Sequence, residues 1–136
     1  MKVINNNTVV IYSSSELKTV LENDNGYDYI YFGNDITLEK GIKISSSKVN
    51  VTIDGTYEGV RHTFTDYESL SSGDTISVSS PLTLKVTVCN MEIVGYNYYG
   101  IIYVLDNSSY KNTIIEYNNI LYEGPQISFH PTGLTR

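Results

Sequence analysis

The chain has 136 residues, enough for one domain with a real core, and a formal net charge of −6 at pH 7. That balance disfavours nucleic acid and anionic membrane surfaces, because binding to either rests on Lys and Arg. A single cysteine, Cys89, excludes an internal disulfide framework and a cysteine metal cluster. No apolar run approaches the roughly 20 residues of a membrane span, and residues 1–7 lack the apolar stretch of a signal peptide. Thirteen Tyr and no Trp, with many Val, Ile, Thr, Ser and Asn, favour strands and turns.

In chain order, Thr8–Tyr12 reads as a first strand. Ser13 and Glu16 have the form of a capping box, with Leu17, Val20 and Leu21 following at helical spacing. This predicts one amphipathic helix over about residues 14–24, closed at Asn25-Gly26. Short strands follow at Tyr29–Phe32, Ile36–Leu38 and Ile42–Ile44, with Gly33 and Gly41 as corners. The gaps are too short for helical crossovers and suit successive sides of a coil.

A six-residue phrase then appears three times: Asn50–Gly55, Asn90–Gly95 and Asn119–Gly124, with apolar residues or Tyr two apart between the Asn and the Gly. Alternation suits one face of a strand, and Asn and Gly tolerate the positive φ of a bend. Each phrase therefore reads as a short strand between two turns. Spacings of 40 and 29 residues point to a stacked array of coils. The longer gap holds a strand at His62–Thr65, a polar loop over 66–74, and strands at Thr75–Val78 and Leu82–Val88, so it fits either two coils or one coil with a long loop. Ile101–Leu105 has no polar alternation, which predicts burial on both faces or at a crowded corner. Cys89 reads as a small buried apolar residue. The expected fold is all-β, a right-handed parallel β-helix (solenoid) over residues 1–136, its helix capping the first coil and its coils spanning about 27–130. Nothing after residue 130 reads as a cap, so the last coil is expected to expose a strand edge. That implies the N-terminal part of a longer protein, or end-to-end self-association there.

The helix opening Ser14-Ser15-Glu16-Leu17, the strand Tyr29–Phe32 and the segment Asn34–Leu38 resemble the start of pectate-lyase-like right-handed β-helices. The segment Ile114–Gln126, where an apolar strand meets Asn, Tyr and then Gly124-Pro125-Gln126, resembles the pectate-lyase-like adhesive domains of Gram-positive bacterial surface proteins. That resemblance implies a module of a secreted, cell-wall-attached, multidomain protein, adhesive through a polysaccharide or host surface protein, or structural in displaying other domains. Since no base-and-carboxylate constellation rises above chance, the expected module is non-catalytic. It needs no cofactor.

An enzyme on this fold offers an alternative. A polysaccharide lyase needs a base, usually with calcium held by several carboxylates. Arg61, His62 and Asp66, with Asp54 and Glu58 nearby in sequence, are the one place where bases and acids crowd together. A hydrolase needs two converging carboxylates, and Asp54, Glu92 and Glu123 share an outward parity within their phrases. Convergence of Asp54, Glu58, Arg61, His62 and Asp66 on one groove would favour an enzyme. For ligand binding the candidates are Tyr96, Tyr98 and Tyr99, since aromatic rings stack on sugars and on protein surfaces. Asn6, Asn50 and Asn107 open glycosylation sequons. A viral tail-fibre fragment would share the architecture and be expected to trimerise.

Overall fold

The computed structural model describes residues 1–66, 75–104, 108–130 and 134–135. The fold is mostly β, with one α-helix. After β1 (Lys2–Val3), which pairs antiparallel with β2 (Thr8–Ile11), the chain forms α1 (Ser14–Glu22). Then come β3 (Tyr29–Phe32), β4 (Ile36–Thr37), β5 (Ile42–Ile44) and β6 (Asn50–Asp54). A small hairpin of β7 (Thr56–Tyr57) and β8 (Val60–Arg61) precedes β9 (Thr63–Thr65) and β10 (Ile76–Val78). The remaining strands are β11 (Lys85–Val94), β12 (Ile102–Val104), β13 (Ile114–Glu123), β14 (Ser128–Phe129) and β15 (Leu134–Thr135).

Two sheets share these strands. The larger runs β1-β2-β3-β6-β11-β13-β15, with β9 lying beside β11 and β4 beside β9; the smaller runs β5-β10-β12-β14. Beyond β1 every pairing in both sheets is parallel. From β3 onward the chain alternates between the sheets, adding one layer to each per pass, whereas between β2 and β3 it passes through α1. Among the described residues, one visit to the smaller sheet, β10, falls between Gly55 and Asn90. The long gap is thus one pass carrying an extra hairpin, together with residues 67–74, which lie outside the described residues.

Register corrects the phrase-based repeat. Asn50 pairs with Lys85, and Lys85 with Ile114. The first phrase therefore stands five residues out of step with the others, and the layers recur after 35 and then 29 residues. Nor are the later phrases separate strands. Each is the second half of a ten-residue strand. Asn90 and Asn119 sit mid-strand with φ of 57° and 56°, conformations that Asn tolerates better than most residues. Each bend shifts the alternation by one: Val86 and Val88 face inward before it, Met91 and Ile93 after it, all buried. The amides form a ladder, Asn119 Nδ2 donating to Asn90 Oδ1 (2.9 Å) and Asn90 Nδ2 to Asp54 Oδ1 (3.2 Å).

The core lies between the sheets as rows of like residues at matched register. One row is Val9, Ile30, Ile53, Val88 and Tyr117; another is Ile36, Phe64, Ile93 and Tyr122. The smaller sheet contributes Ile42, Ile76 and Ile102, then Ile44, Val78 and Val104. Phe32 and Phe64 meet edge to face at 5.7 Å, a favoured aromatic geometry. α1 closes one end, with Leu17, Val20 and Leu21 buried. Its cap is as expected on one side, Ser13 accepting from the Glu16 N–H at 3.2 Å. The Glu16 carboxylate reaches one residue further than a capping box would, to the Tyr12 N–H (2.8 Å), and also meets the N-terminal ammonium (2.8 Å). Of the two settings expected for Ile101–Leu105, burial on both faces or a crowded corner, the first does not hold for Ile101–Val104, and Leu105 lies outside the described residues. Tyr103 stands half-exposed between buried Ile102 and Val104, so the run is an ordinary strand preceded by a buried corner residue, Ile101.

Candidate functional site

Arg61, His62 and Asp66 are neighbours in sequence that turn to different partners. Arg61 ends the hairpin and spans the bends of the next two passes. Its Nη2 donates to the carbonyls of Met91 (2.9 Å) and Asn119 (3.1 Å). His62 turns to the first pass, where its Nδ1 lies 3.3 Å from Asp35 Oδ1, an oxygen that also accepts from the Thr63 N–H at 2.9 Å. Asp66 is buried and accepts from the Asn97 N–H at 3.0 Å. Asp54 is also buried, holding the Tyr29 hydroxyl (2.6 Å) and the Thr56 N–H (3.0 Å). Of the five residues whose convergence would favour an enzyme, Glu58 and His62 line a common groove, while Asp54, Arg61 and Asp66 are engaged in the bonds just described.

The proposed ladder of acids does not form. Asp54 is level with Cys89, Glu92 with Leu121, and Glu123 with Val94. The first phrase stands five residues out of step, which takes Asp54 off the expected rung, and Glu92 and Glu123 hold the third and fifth places of two phrases that are in register with each other. Among the described residues no group of three or more His, Cys, Asp or Glu could hold a metal ion.

The tyrosines after Gly95 do come together. Asn97 is buried, and its Oδ1 accepts from the Tyr99 N–H (2.9 Å) while its carbonyl accepts from the Gly100 N–H (3.1 Å). This turn presents Tyr96 and Tyr98 outward, 51% and 67% exposed. Tyr98 meets Tyr99 edge to face at 5.4 Å, and Tyr99 meets Tyr103 in the same way at 5.5 Å. Three rings thus form a strip that runs from the turn onto the smaller sheet. Tyr103 was not among the candidates because it sits in an apolar run; its place opposite Ser77 in the neighbouring strand is what turns it outward. Gly100, at φ 83°, lies so close to the next pass that a Cβ would come within 2.4 Å of the Ile127 carbonyl. The strip is therefore backed by direct backbone contact.

Several titrating groups are shifted by their surroundings. Burial pushes the Cys89 thiol up to about 12, with the Asp54 carboxylate adding to the effect. Burial and the hydrogen bond to Asp54 hold the Tyr29 hydroxyl above its ordinary value. Lys48 is 2% exposed. Burial lowers its pKa against the pull of Asp28 and Asp24, and its Nζ donates to Asn25 Oδ1 (2.5 Å) and the Tyr27 carbonyl (2.6 Å). Sequence reading passed over it because a lysine in a serine-rich turn looks solvated.

The domain is mostly β, a stack of parallel strands closed at one end by one helix, with a cluster of tyrosines on its outer surface. The family described as "Putative pectate lyase-like adhesive domain" matches residues 8–129, and the chain belongs to that family. No curated protein and no solved structure matches the chain significantly. No helix among the described residues is long and apolar enough to cross a membrane.

Proposed function

We propose that this domain is a non-catalytic adhesive module of an extracellular, cell-surface protein, built as a right-handed parallel β-helix that binds a glycan or protein surface. The β-helix reading is supported by parallel pairing in both sheets, by alternating visits to them, and by inward rows matched from layer to layer; parallel connections are right-handed almost without exception. The observation that carries the adhesive reading is the strip Tyr98–Tyr99–Tyr103 with exposed Tyr96 beside it. Large amphipathic rings held by a rigid turn offer contact area at low entropic cost. Arg61, His62 and Asp66 each serve a separate bond within the fold, which supports a role without catalysis, cofactor or calcium. The outer edge of β13, which β15 pairs at Ile114 and Ile115, gives such a module a place for end-to-end association.

The test is incubation with acidic and neutral polysaccharides, with and without calcium, followed by size-exclusion chromatography. The expected result is co-elution with one polymer whose length is unchanged, weakened about tenfold in a Tyr96→Ala/Tyr98→Ala double variant, the scale of a lost aromatic anchor. Calcium-dependent shortening abolished by His62→Ala or Arg61→Ala would instead make the domain a lyase.

A further inference from the structure

A groove of about 260 Å³ lies beside the hairpin, lined by Tyr12, Gly33, Tyr57, Glu58, Val60 and His62. It shares no residue with the tyrosine strip. Tyr12 packs directly on Gly33, where a Cβ would come within 2.3 Å of the ring, so the missing side chain makes room for this wall. The second tyrosine of the lining, Tyr57, is held by Tyr31, 5.3 Å between centroids, and by Lys2, whose Nζ lies 3.3 Å from the Tyr57 hydroxyl. Both aromatic walls are thus held in place.

The polar groups are also oriented. Asp35 can only accept, so its contact with His62 places the ring proton on Nδ1 and leaves Nε2 as an acceptor in the neutral ring. The His62 side chain is 13% exposed, enough to be reached from the groove and little enough to be fixed. Glu58 occupies the first central position of a two-residue hairpin turn at φ 51°, with Gly59 following at 78°. Such turns prefer Asn, Asp or Gly there, because other residues are strained at positive φ. A glutamate kept in a strained position at the rim of a groove points to a use for its carboxylate.

From this geometry we infer that the groove binds one sugar ring of a non-acidic glycan, a neutral or amino sugar. Two tyrosines match the apolar faces of a pyranose, while Glu58 and His62 offer acceptors to its hydroxyl or amino groups. The volume lies just below the roughly 300–1,000 Å³ of pockets for larger ligands, which suits a single ring. Glu58 in the groove and Asp35 behind it would repel a uronate carboxylate, and the chain's charge of −6 acts in the same direction. The groove adds a second contact point to the adhesive reading and depends on different residues.

The test is titration of the full chain, observed by amide NMR, with low-millimolar mannose, glucose, N-acetylglucosamine and glucosamine oligosaccharides and with oligogalacturonate. At least one non-acidic sugar should move the amides of Gly33, Gly59 and His62, and oligogalacturonate should move them less. Tyr57→Ala should weaken that binding about tenfold. Glu58→Asn should weaken it while the thermal midpoint holds or rises, since Asn relieves the turn; a merely structural Glu58 would show no such split. Tyr98→Ala should leave the groove signals unchanged, which separates this site from the strip. Silence of the groove amides with every sugar, preference for oligogalacturonate, or full binding by Glu58→Asn would overturn the proposal.

Discussion

The two ends of the stack carry the same kind of inward side chain under different cover. At the N-terminal end α1 lies over the first layer, and Val9, Ile11, Leu17 and Leu21 are fully buried. At the other end, among the described residues, β13 is paired on its outer side at Ile114 and Ile115 alone, by β15. Tyr117, Ile120 and Tyr122 continue the core rows there but are only partly buried, and Leu121 is 64% exposed. In a stack, a residue's burial is set by the next layer as much as by its own strand.

The sharpest way to break that comparison is to truncate an inward residue at each end. Leu21→Ala should cost about 2–5 kcal/mol, as for a fully buried leucine, and Ile120→Ala less than about half of that. Urea unfolding measures both, and equal losses would show that the C-terminal layer is as well covered as the first. Next in size, Gly100→Ala should cost about 1–3 kcal/mol, from its φ of 83° and its contact with the Ile127 carbonyl. It should also disorder the tyrosine turn, visible as a loss of near-ultraviolet circular dichroism.

The amide ladder sharpens the contrast further. Asn90 bonds to a layer on each side, while Asn119 bonds to Asn90 and receives a long 3.4 Å contact from Arg61 Nη1. Alanine at either bend adds about 1–2 kcal/mol of left-handed strain. Asn90→Ala should be worse than Asn119→Ala by roughly the 0.5–1.5 kcal/mol of one net hydrogen bond, measured in the same unfolding experiment.

The smallest effect near neutrality is the pH dependence. The folded state holds the Cys89 proton up to about 12 against an ordinary value of 9.0. Unfolded chains release that proton first, so the stabilisation is complete below pH 9 and is lost as pH rises from there toward 12. Tyr29, Tyr117 and Tyr122, all raised chiefly by burial, act in the same direction at higher pH. Lys48 opposes them, because its lowered value makes the folded state gain as pH approaches 10.5. The denaturant midpoint should therefore fall above about pH 9, and Cys89→Ala should flatten the first part of that fall. An unchanged slope in the variant would place the thiol in a less buried setting.

Much of this was legible in the residues themselves. Helix α1 followed from Ser13, Glu16 and the spacing of Leu17, Val20 and Leu21, because capping and amphipathicity are local properties. Strands such as Tyr29–Phe32 and Ile42–Ile44 followed from alternation. The hairpin Thr56–Arg61 was missed because Glu58 sits where the usual turn signal is Asn or Asp. The hairpin lies between Asp54 and the residues that follow it, so Asp54, Arg61, His62 and Asp66 turn to different partners.

What the sequence determined by itself was therefore the local vocabulary: one capped helix, short alternating strands, left-handed asparagine bends, and a family match over residues 8–129. Only the tertiary structure decided which residues share a layer. A parallel stack sets register by packing between distant segments, and one inserted hairpin or one left-handed residue shifts every side chain beyond it. For that reason His62 meets Asp35 and shares a groove with Glu58, and Tyr103 joins Tyr98 and Tyr99 on the outer surface.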